Sequence, residues 1–347
     1  MSRRTATVVG GVAMLALVTV ASACSSGTSS SGTSSSSGTS SSSASSGSPS
    51  GASSAKKLEL IVGTKSDNFY VTMECGAKQE AAKLGASLTV TGPADFTVPE
   101  QKPLIDAAIA TKPDALLVAP TDTTALDSDL MQVQSNGTKI VFVDTSSSNS
   151  SLGISRITSD NAQGGMLAAD QLAKQIGDKG VVSVITVKAG TSTTDARVAG
   201  FIQEIKSKYP NIMLLPTHYD DTDSTTVAAQ QIGGDISAHH TLNGVFAANV
   251  ITAEGAATAV KSAGMSGKVK VATFDADPTQ ITMLSSGTIQ LAIAQAPAVE
   301  GQDAVIQAMN ALTGKPVTKS ILTPLVAITT SNMNSPSVTP YIYKSGC

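Results

Sequence analysis

The sequence predicts an α/β protein built as two doubly wound parallel-sheet lobes. Short β-branched runs alternate with longer helix-patterned stretches, and this alternation runs through twice in succession. The body, from about residue 56 to 347, is too long for one small core, since domains run to ~100–200 residues. Strands joined by helical crossovers form right-handed βαβ units, and hence parallel sheets covered on both faces.

The first run opens with the strand pattern 58–63, Leu-Glu-Leu-Ile-Val-Gly. A helical stretch over 69–84 follows and stops at Gly85, a residue suited to a left-handed helix end. Strand patterns at 87–91, 115–119 and 139–143 alternate with helical ones at 100–110 and 124–135. The second run starts with a helix over 162–176, stopped by Gly177. Strands are expected at 181–187, 212–215, 244–248, 269–274 and 289–294. Helices are expected at 194–208, 227–237, 253–263, 280–285 and 300–312.

The N-terminal 55 residues have a different character. Arg3 and Arg4 precede an apolar run from Ala6 to Ala21, which closes at Ala21-Ser22-Ala23-Cys24. A basic start, an apolar middle and small residues before the cut describe a secretory signal peptide over 1–23. The run is shorter than the ~20 residues of a membrane-spanning helix. Cys24 fits the lipid-accepting position of a bacterial lipobox, with Ala21 where that motif prefers Leu. Residues 24–55 are nearly all Ser, Gly and Thr. Such composition has too little apolar surface to offset ordering entropy, and its expected reach as a tether is ~30 Å. A domain anchored through Cys24 to the outer face of the cytoplasmic membrane is therefore expected.

A net charge of −3, with no basic block after the signal peptide, argues against nucleic acid and against a basic membrane patch. Of three cysteines, Cys75 and Cys347 remain once Cys24 is lipidated. In an oxidising compartment they are expected to pair, the other reading being one buried and one terminal thiol. No metal or cofactor signature is present. Asp220, Asp221 and Asp223 lack the Gly and closing Glu of a calcium loop and are expected to start a helix. The stretch 264–268 lacks phosphate-loop spacing, and no serine sits in a Gly-x-Ser-x-Gly elbow. His239 and His240 are expected as a solvated helix end, so no catalytic set is found.

In open α/β sheets, ligands bind beyond the carboxyl ends of the strands. Asp144, Asn249, Asp275 and Gln295 each follow a strand pattern directly. Asp67 lies just past the first strand beside Phe69 and Tyr70, and Arg197 is expected in a first helical turn. Singly, an Asp or Asn there is most often a turn former or cap, and an Arg in a first turn is usually solvated. Together, carboxylates, amides, one guanidinium and aromatic faces suit a neutral polyhydroxylated ligand.

Several stretches carry a family resemblance. They are Ser66-Asp67-Asn68-Phe69-Tyr70, Gly76-Ala77 through Lys83-Leu84-Gly85, Pro120-Thr121-Asp122, Val143-Asp144, 159–165, and Gly190-Thr191-Ser192 leading to Arg197, Gly200 and Phe201. Asn249 after 245–248, Phe274-Asp275 and Ala294-Gln295 complete the set. In this order and spacing, over about 58–330, the chain resembles the ribose-type (type I) periplasmic binding proteins, the substrate-binding subunits of sugar ABC importers. The resemblance implies a three-segment hinge near Asp160, Ala296 and Thr323. The lobes would be 56–159 plus 296–322 and 160–295 plus 323–347. It implies ligand contacts at Asp67, Phe69, Tyr70, Asp144, Arg197, Asn249, Asp275 and Gln295, with Tyr219 as the aromatic between the lobes. Asp67 stands in place of the ribose binder's Asn, Thr145 in place of an Arg, and Val250 in place of an Asp; the lost Arg and the carboxylate gained at Asp67 make the site more acidic. The expected function is capture of a sugar or polyol by hinge closure and delivery to an ABC permease, by a monomer without cofactor, metal or enzymatic activity. A binding protein of this fold serving a membrane sensor is the nearest alternative. A surface hydrolase and a structural envelope lipoprotein are others.

Overall fold

The computed structural model describes residues 55–347; the expected signal peptide, Cys24 and nearly all of the Ser/Gly/Thr segment lie outside them. Among the described residues no helix is long and apolar enough to cross a membrane. The first half runs β1 (Lys57–Ile61), α1 (Asn68–Lys83), β2 (Ser87–Thr91), α2 (Val98–Thr111), β3 (Ala115–Val118), α3 (Asp127–Ser135), β4 (Lys139–Val143) and β5 (Ser155–Ser159). It continues with α4 (Asn161–Ile176), β6 (Gly180–Val187), α5 (Ser192–Lys208), β7 (Ile212–Leu214), β8 (His218–Asp220), α6 (Thr225–Ala238) and β9 (Leu242–Ala247). The last part holds α7 (Val250–Ser262), β10 (Lys270–Phe274), α8 (Pro278–Ser285), β11 (Leu291–Ala294), α9 (Pro297–Leu312), β12 (Ser320–Thr323) and β13 (Val326–Ile328).

Two sheets result. One has the order β12-β5-β4-β3-β1-β2 and the other β13-β11-β10-β9-β6-β7, with β8 also on β6. All named pairings are parallel except β13 on β11. The period-2 alternation covers both faces of the first sheet. Leu116, Val118, Ile140 and Phe142 point to the layer shared with Ile105 of α2 and Leu130 of α3. Leu117, Val141 and Val143 point to the opposite layer with Met73 of α1 and Val305 of α9. Such double burial is why parallel strands read as continuous apolar runs. In the second sheet, Val184 and Phe246 face Leu172 of α4 and Phe201 of α5, and the Phe201 and Phe246 rings stack 4.3 Å apart.

Helix pairs meet through glycine in both lobes. A Cβ at Gly165 of α4 would lie 2.0 Å from the Arg197 carbonyl oxygen, and one at Gly200 of α5 would lie 2.2 Å from that of Ala162. The backbones of α4 and α5 therefore approach closely, which fixes where Arg197 projects.

Several boundaries differ from the sequence expectation. Helices α2, α8 and α9 begin two or three residues earlier, each with Pro in its first turn; Pro suits that position because its missing N–H is unpaired there anyway. Helix α3 begins later, because the Asp122 side chain accepts from the Thr124 and Ala125 amides and forms a turn first. Strand β5 was not expected from its Ser-Arg-Ile-Thr-Ser sequence. Asp220, Asp221 and Asp223 do not start a helix; α6 begins after Ser224, and Asp220 instead accepts from the Thr222 and Ser224 amides. The chain crosses between the sheets after β5, after β11 and after β12.

Candidate functional site

The carboxyl ends of the two sheets face a shared cavity of about 540 Å³. Asp144 ends β4 and Asp275 ends β10, and both adopt a left-handed backbone, φ 63° and 78°. That region is sparsely used by side-chain-bearing residues. Each Asp amide donates at 2.8 Å to the next strand, Asp144 to Ile157 and Asp275 to Ile293. The lobes thus deliver two carboxylates to the cleft by the same local device.

A phenol holds Asp144, and a phenol with a side-chain amide holds Asp275. The Tyr70 hydroxyl donates to Asp144 Oδ2 at 2.6 Å. Gln295 Nε2 and the Tyr343 hydroxyl both donate to Asp275 Oδ1, and Gln295 Oε1 is buried without a partner. Arg197 is buried in the second turn of α5, not solvated in a first turn, because α5 starts at Ser192. Its Nε donates to Asn161 Oδ1 at 2.7 Å and its Nη1 to the Ala248 carbonyl at 2.9 Å. Its guanidinium stacks 4.0 Å over the Phe274 ring and lies 3.8 Å from Asp275.

For Asp67 and Asn249 the capping role and the site position coincide. Asp67 caps α1 by accepting from the Phe69 amide, and Asn249 caps α7 by accepting from the Thr252 amide. Both also line the cavity, as do Phe69, Tyr70, Asp144, Arg197, Asp275 and Gln295. Tyr219 does not. On β8 the alternation buries Asp220 and turns Tyr219 outward, 45% exposed. An aromatic that meets the other lobe at the cavity is Phe96, from the segment before α2. Lys188, just past β6, reaches over it at 5.6 Å and donates to its carbonyl oxygen.

Further lining residues escaped the sequence reading. Asp223 accepts from Asn249 Nδ2 at 3.1 Å, and Asp277 accepts from Asn68 Nδ2 across the cleft at 2.7 Å. Asp277 sits in an Asp-Pro helix start with a capping box, so its pattern points only to a cap. Lys188 was within reach of the strand-end rule, since it follows Val187 at the end of β6. The amide of Ser146 also donates to Ser192 Oγ, and that of Thr123 to the Gly190 carbonyl, so the two lobes also meet there.

Nine carboxylates line this cavity against two cations, Lys188 and Arg197. Burial, followed by the charges of Asp275, Asp277 and Asp144, pushes the Asp67 carboxyl up to about 7. Burial also raises Asp144 to about 6, against the lowering effects of the Tyr70 hydrogen bond and Arg197. Among the described residues no His/Cys/Asp/Glu group is arranged to hold a metal ion. Away from the cavity mouth, Cys75 on α1 and Cys347 are bonded, with Cα atoms 5.3 Å apart. Residues 344–347 consequently lie on the first lobe's α1, not on the second lobe to which the sequence assigns the tail.

The sequence model of the family described as a periplasmic binding protein domain matches residues 58–316. The ribose import binding protein of Escherichia coli strain K12 is 30% identical over 268 residues, spanning 77% of this chain and 88% of that protein. A solute-binding protein of an ABC transporter from Agrobacterium vitis, solved with bound α-D-tagatopyranose, is 41% identical. It superposes with a TM-score of 0.81 over 83% of this chain and 99% of that one. A carbohydrate transporter solute-binding protein from Agrobacterium radiobacter, in complex with D-arabinose, is 29% identical, with a TM-score of 0.79 over 84% and 99% of the two chains. The fold, the paired strand-end carboxylates and these likenesses place the chain in the periplasmic binding protein family, as a type I solute-binding protein of the ribose-binding-protein kind and not an enzyme.

Proposed function

We propose that this protein captures a monosaccharide or polyol between its lobes and delivers it to an ABC permease. The observation that carries this reading is the pairing of Asp144 and Asp275, brought from opposite lobes to one cavity beside Arg197. Each carboxylate has an oxygen left to accept ligand hydroxyls, the guanidinium offers donors, and Phe69, Tyr70 and Phe96 supply apolar faces. Hydrogen bonds to charged groups contribute about 1.5–3 kcal/mol each. The cavity volume falls within the ~300–1,000 Å³ usual for small-molecule sites. Sugar ligands in the related structures support the same class.

The excess of carboxylates narrows that class. A uronate or sugar phosphate entering the cavity meets repulsion from the ionised carboxylates that outnumber Lys188 and Arg197 around it. Neutral sugars and polyols do not. The proposed place of action is the outer face of the cytoplasmic membrane, with diacylated Cys24 as anchor and residues 24–55 as tether. A thermal-shift screen of pentoses, hexoses, polyols, uronates and sugar phosphates tests the proposal. A shift with at least one neutral sugar or polyol and none with the anions is expected. No shift with any neutral compound, or a preference for the anions, would overturn it.

A further inference from the structure

The segment after β13 leaves the second sheet, turns through 329–341 and ends against α1 of the first lobe. On the way it passes directly behind the site. Tyr343 is buried, 3% exposed, between the lobes. Its amide donates to the carbonyl of Ala276, the residue after Asp275. Its hydroxyl donates to Asp275 Oδ1 at 2.8 Å and accepts from the Gln295 amide at 3.4 Å. Its ring packs edge-on against Phe69, with centroids 5.6 Å apart. One side chain therefore touches three site residues, two on the second lobe and one on the first.

The next residues fasten this side chain to α1. The Lys344 amide donates to Thr72 Oγ1 at 2.7 Å, and Cys347 is bonded to Cys75. Phe69, Thr72 and Cys75 follow one another at intervals of three, so they share one face of α1. That face receives the tail. Nothing in the spacing of site residues along the strands reveals this, because Tyr343 belongs to neither sheet.

We infer that Tyr343 is a positioning residue of the binding site, held between the lobes by the Cys75–Cys347 bridge as a fourth connection beside the three chain crossings. Its role follows from the geometry at Asp275. Gln295 and Tyr343 together occupy Oδ1, which leaves Oδ2 for the guanidinium of Arg197 and for ligand. Removing the phenol donor leaves Gln295 Nε2 alone on Oδ1 and loosens that orientation. Removing the bridge releases the tail from α1, and with it the backing of Phe69. The inference rests on the cleft being the binding site, but its first test needs no ligand.

Hydrogen–deuterium exchange is compared for the parent, Tyr343→Phe and Cys347→Ser, each without added sugar and well below its unfolding temperature. In Cys347→Ser, protection should fall at 274–277 and at 68–72, as well as in the tail itself. Loss confined to 329–347 would overturn the inference. The second arm measures affinity for D-tagatose, D-arabinose and D-ribose, taking whichever binds the parent. Tyr343→Phe, which keeps the ring, should weaken it about tenfold, the worth of one hydrogen bond. In an Asp275→Ala background, which has no side-chain acceptor for the phenol, the same change should have little further effect, because the phenol acts through that carboxylate. Affinity within twofold of the parent, or an undiminished penalty in the Asp275→Ala background, would mean that Tyr343 only fills the core. If the parent binds none of these sugars or any other neutral sugar, the sugar-capture reading fails, and the exchange result still decides the role of the tail.

Discussion

Glu300 offers a quantitative check on the hinge. It lies in the first turn of α9, just past the crossing from β11, and is fully buried. Its Oε1 accepts from Ser159 Oγ at the end of β5, at 2.7 Å, and from Thr323 Oγ1 at the end of β12, at 3.0 Å. One carboxyl thus joins all three crossings, while Oε2 has no partner. Burial, then the charge of Asp144, pushes this carboxyl up to about 8, against the lowering effects of Ser159, Thr323 and Arg197. Its ordinary value is 4.5. A carboxyl raised on folding favours the folded state fully below about pH 4.5, and that contribution is lost as pH rises through about 8. At ~1.4 kcal/mol per unit, the difference amounts to at most roughly 4–5 kcal/mol. Glu300→Gln keeps the shape and an acceptor oxygen but cannot ionise. Urea unfolding of both proteins at pH 5 and pH 8 should therefore show the variant gaining on the parent by a few kcal/mol at the higher pH. An equal pH dependence in the two proteins would refute the argument and mean that Glu300 is charged throughout.

Asp67→Asn should act in the same direction near the cavity: the carboxyl raised to about 7 destabilises as pH rises towards and through that value, so the variant should gain stability at pH 8 relative to pH 4, and an unchanged difference in unfolding midpoint would contradict this. Because the lobes are bridged by Ser146–Ser192 and Lys188–Phe96, Ser192→Ala with Lys188→Ala should favour an open form whose radius of gyration in solution scattering shrinks on adding sugar; an unchanged radius at saturation would argue against hinge capture. Intact mass of the membrane fraction should show a chain starting at diacylated Cys24, and an unmodified Met1 start would rule out the anchor.

Much of the fold was legible because doubly covered parallel strands announce themselves as apolar runs. Leu116 through Val118 and Ile140 through Val143 could hardly be anything else. Strands β5, β12 and β13 were not legible. They lie towards the sheet edges, with β12 and β13 outermost; β5 carries Ser, Arg and Thr where the central strands carry Val and Ile, β12 is bounded by Ser and Thr, and β13 is only three residues long. The site divided in the same way. Asp144, Asn249, Asp275 and Gln295 follow central strands, so the strand-end rule reached them. Asp223 and Asp277 were hidden by turn and cap patterns that account for them locally. Tyr219 rested on the resemblance alone, and strand β8, which buries Asp220, turns it outward. Glu300 and Tyr343 carry no local signal, since their partners lie far away in sequence.

The central claim is that Asp144 and Asp275 hold one sugar between the lobes. Calorimetric titration of the parent, Asp144→Ala and Asp275→Ala with the sugar that gives the largest thermal shift tests it most directly, with His239→Ala as a control remote from the cavity. Each Asp→Ala change leaves ligand hydroxyls unpaired in the cleft, at a cost of about 1–3 kcal/mol. The account predicts affinities lower by roughly tenfold to a hundredfold or more in both variants and an unchanged value for His239→Ala. Parent-like binding by both folded Asp variants would contradict it.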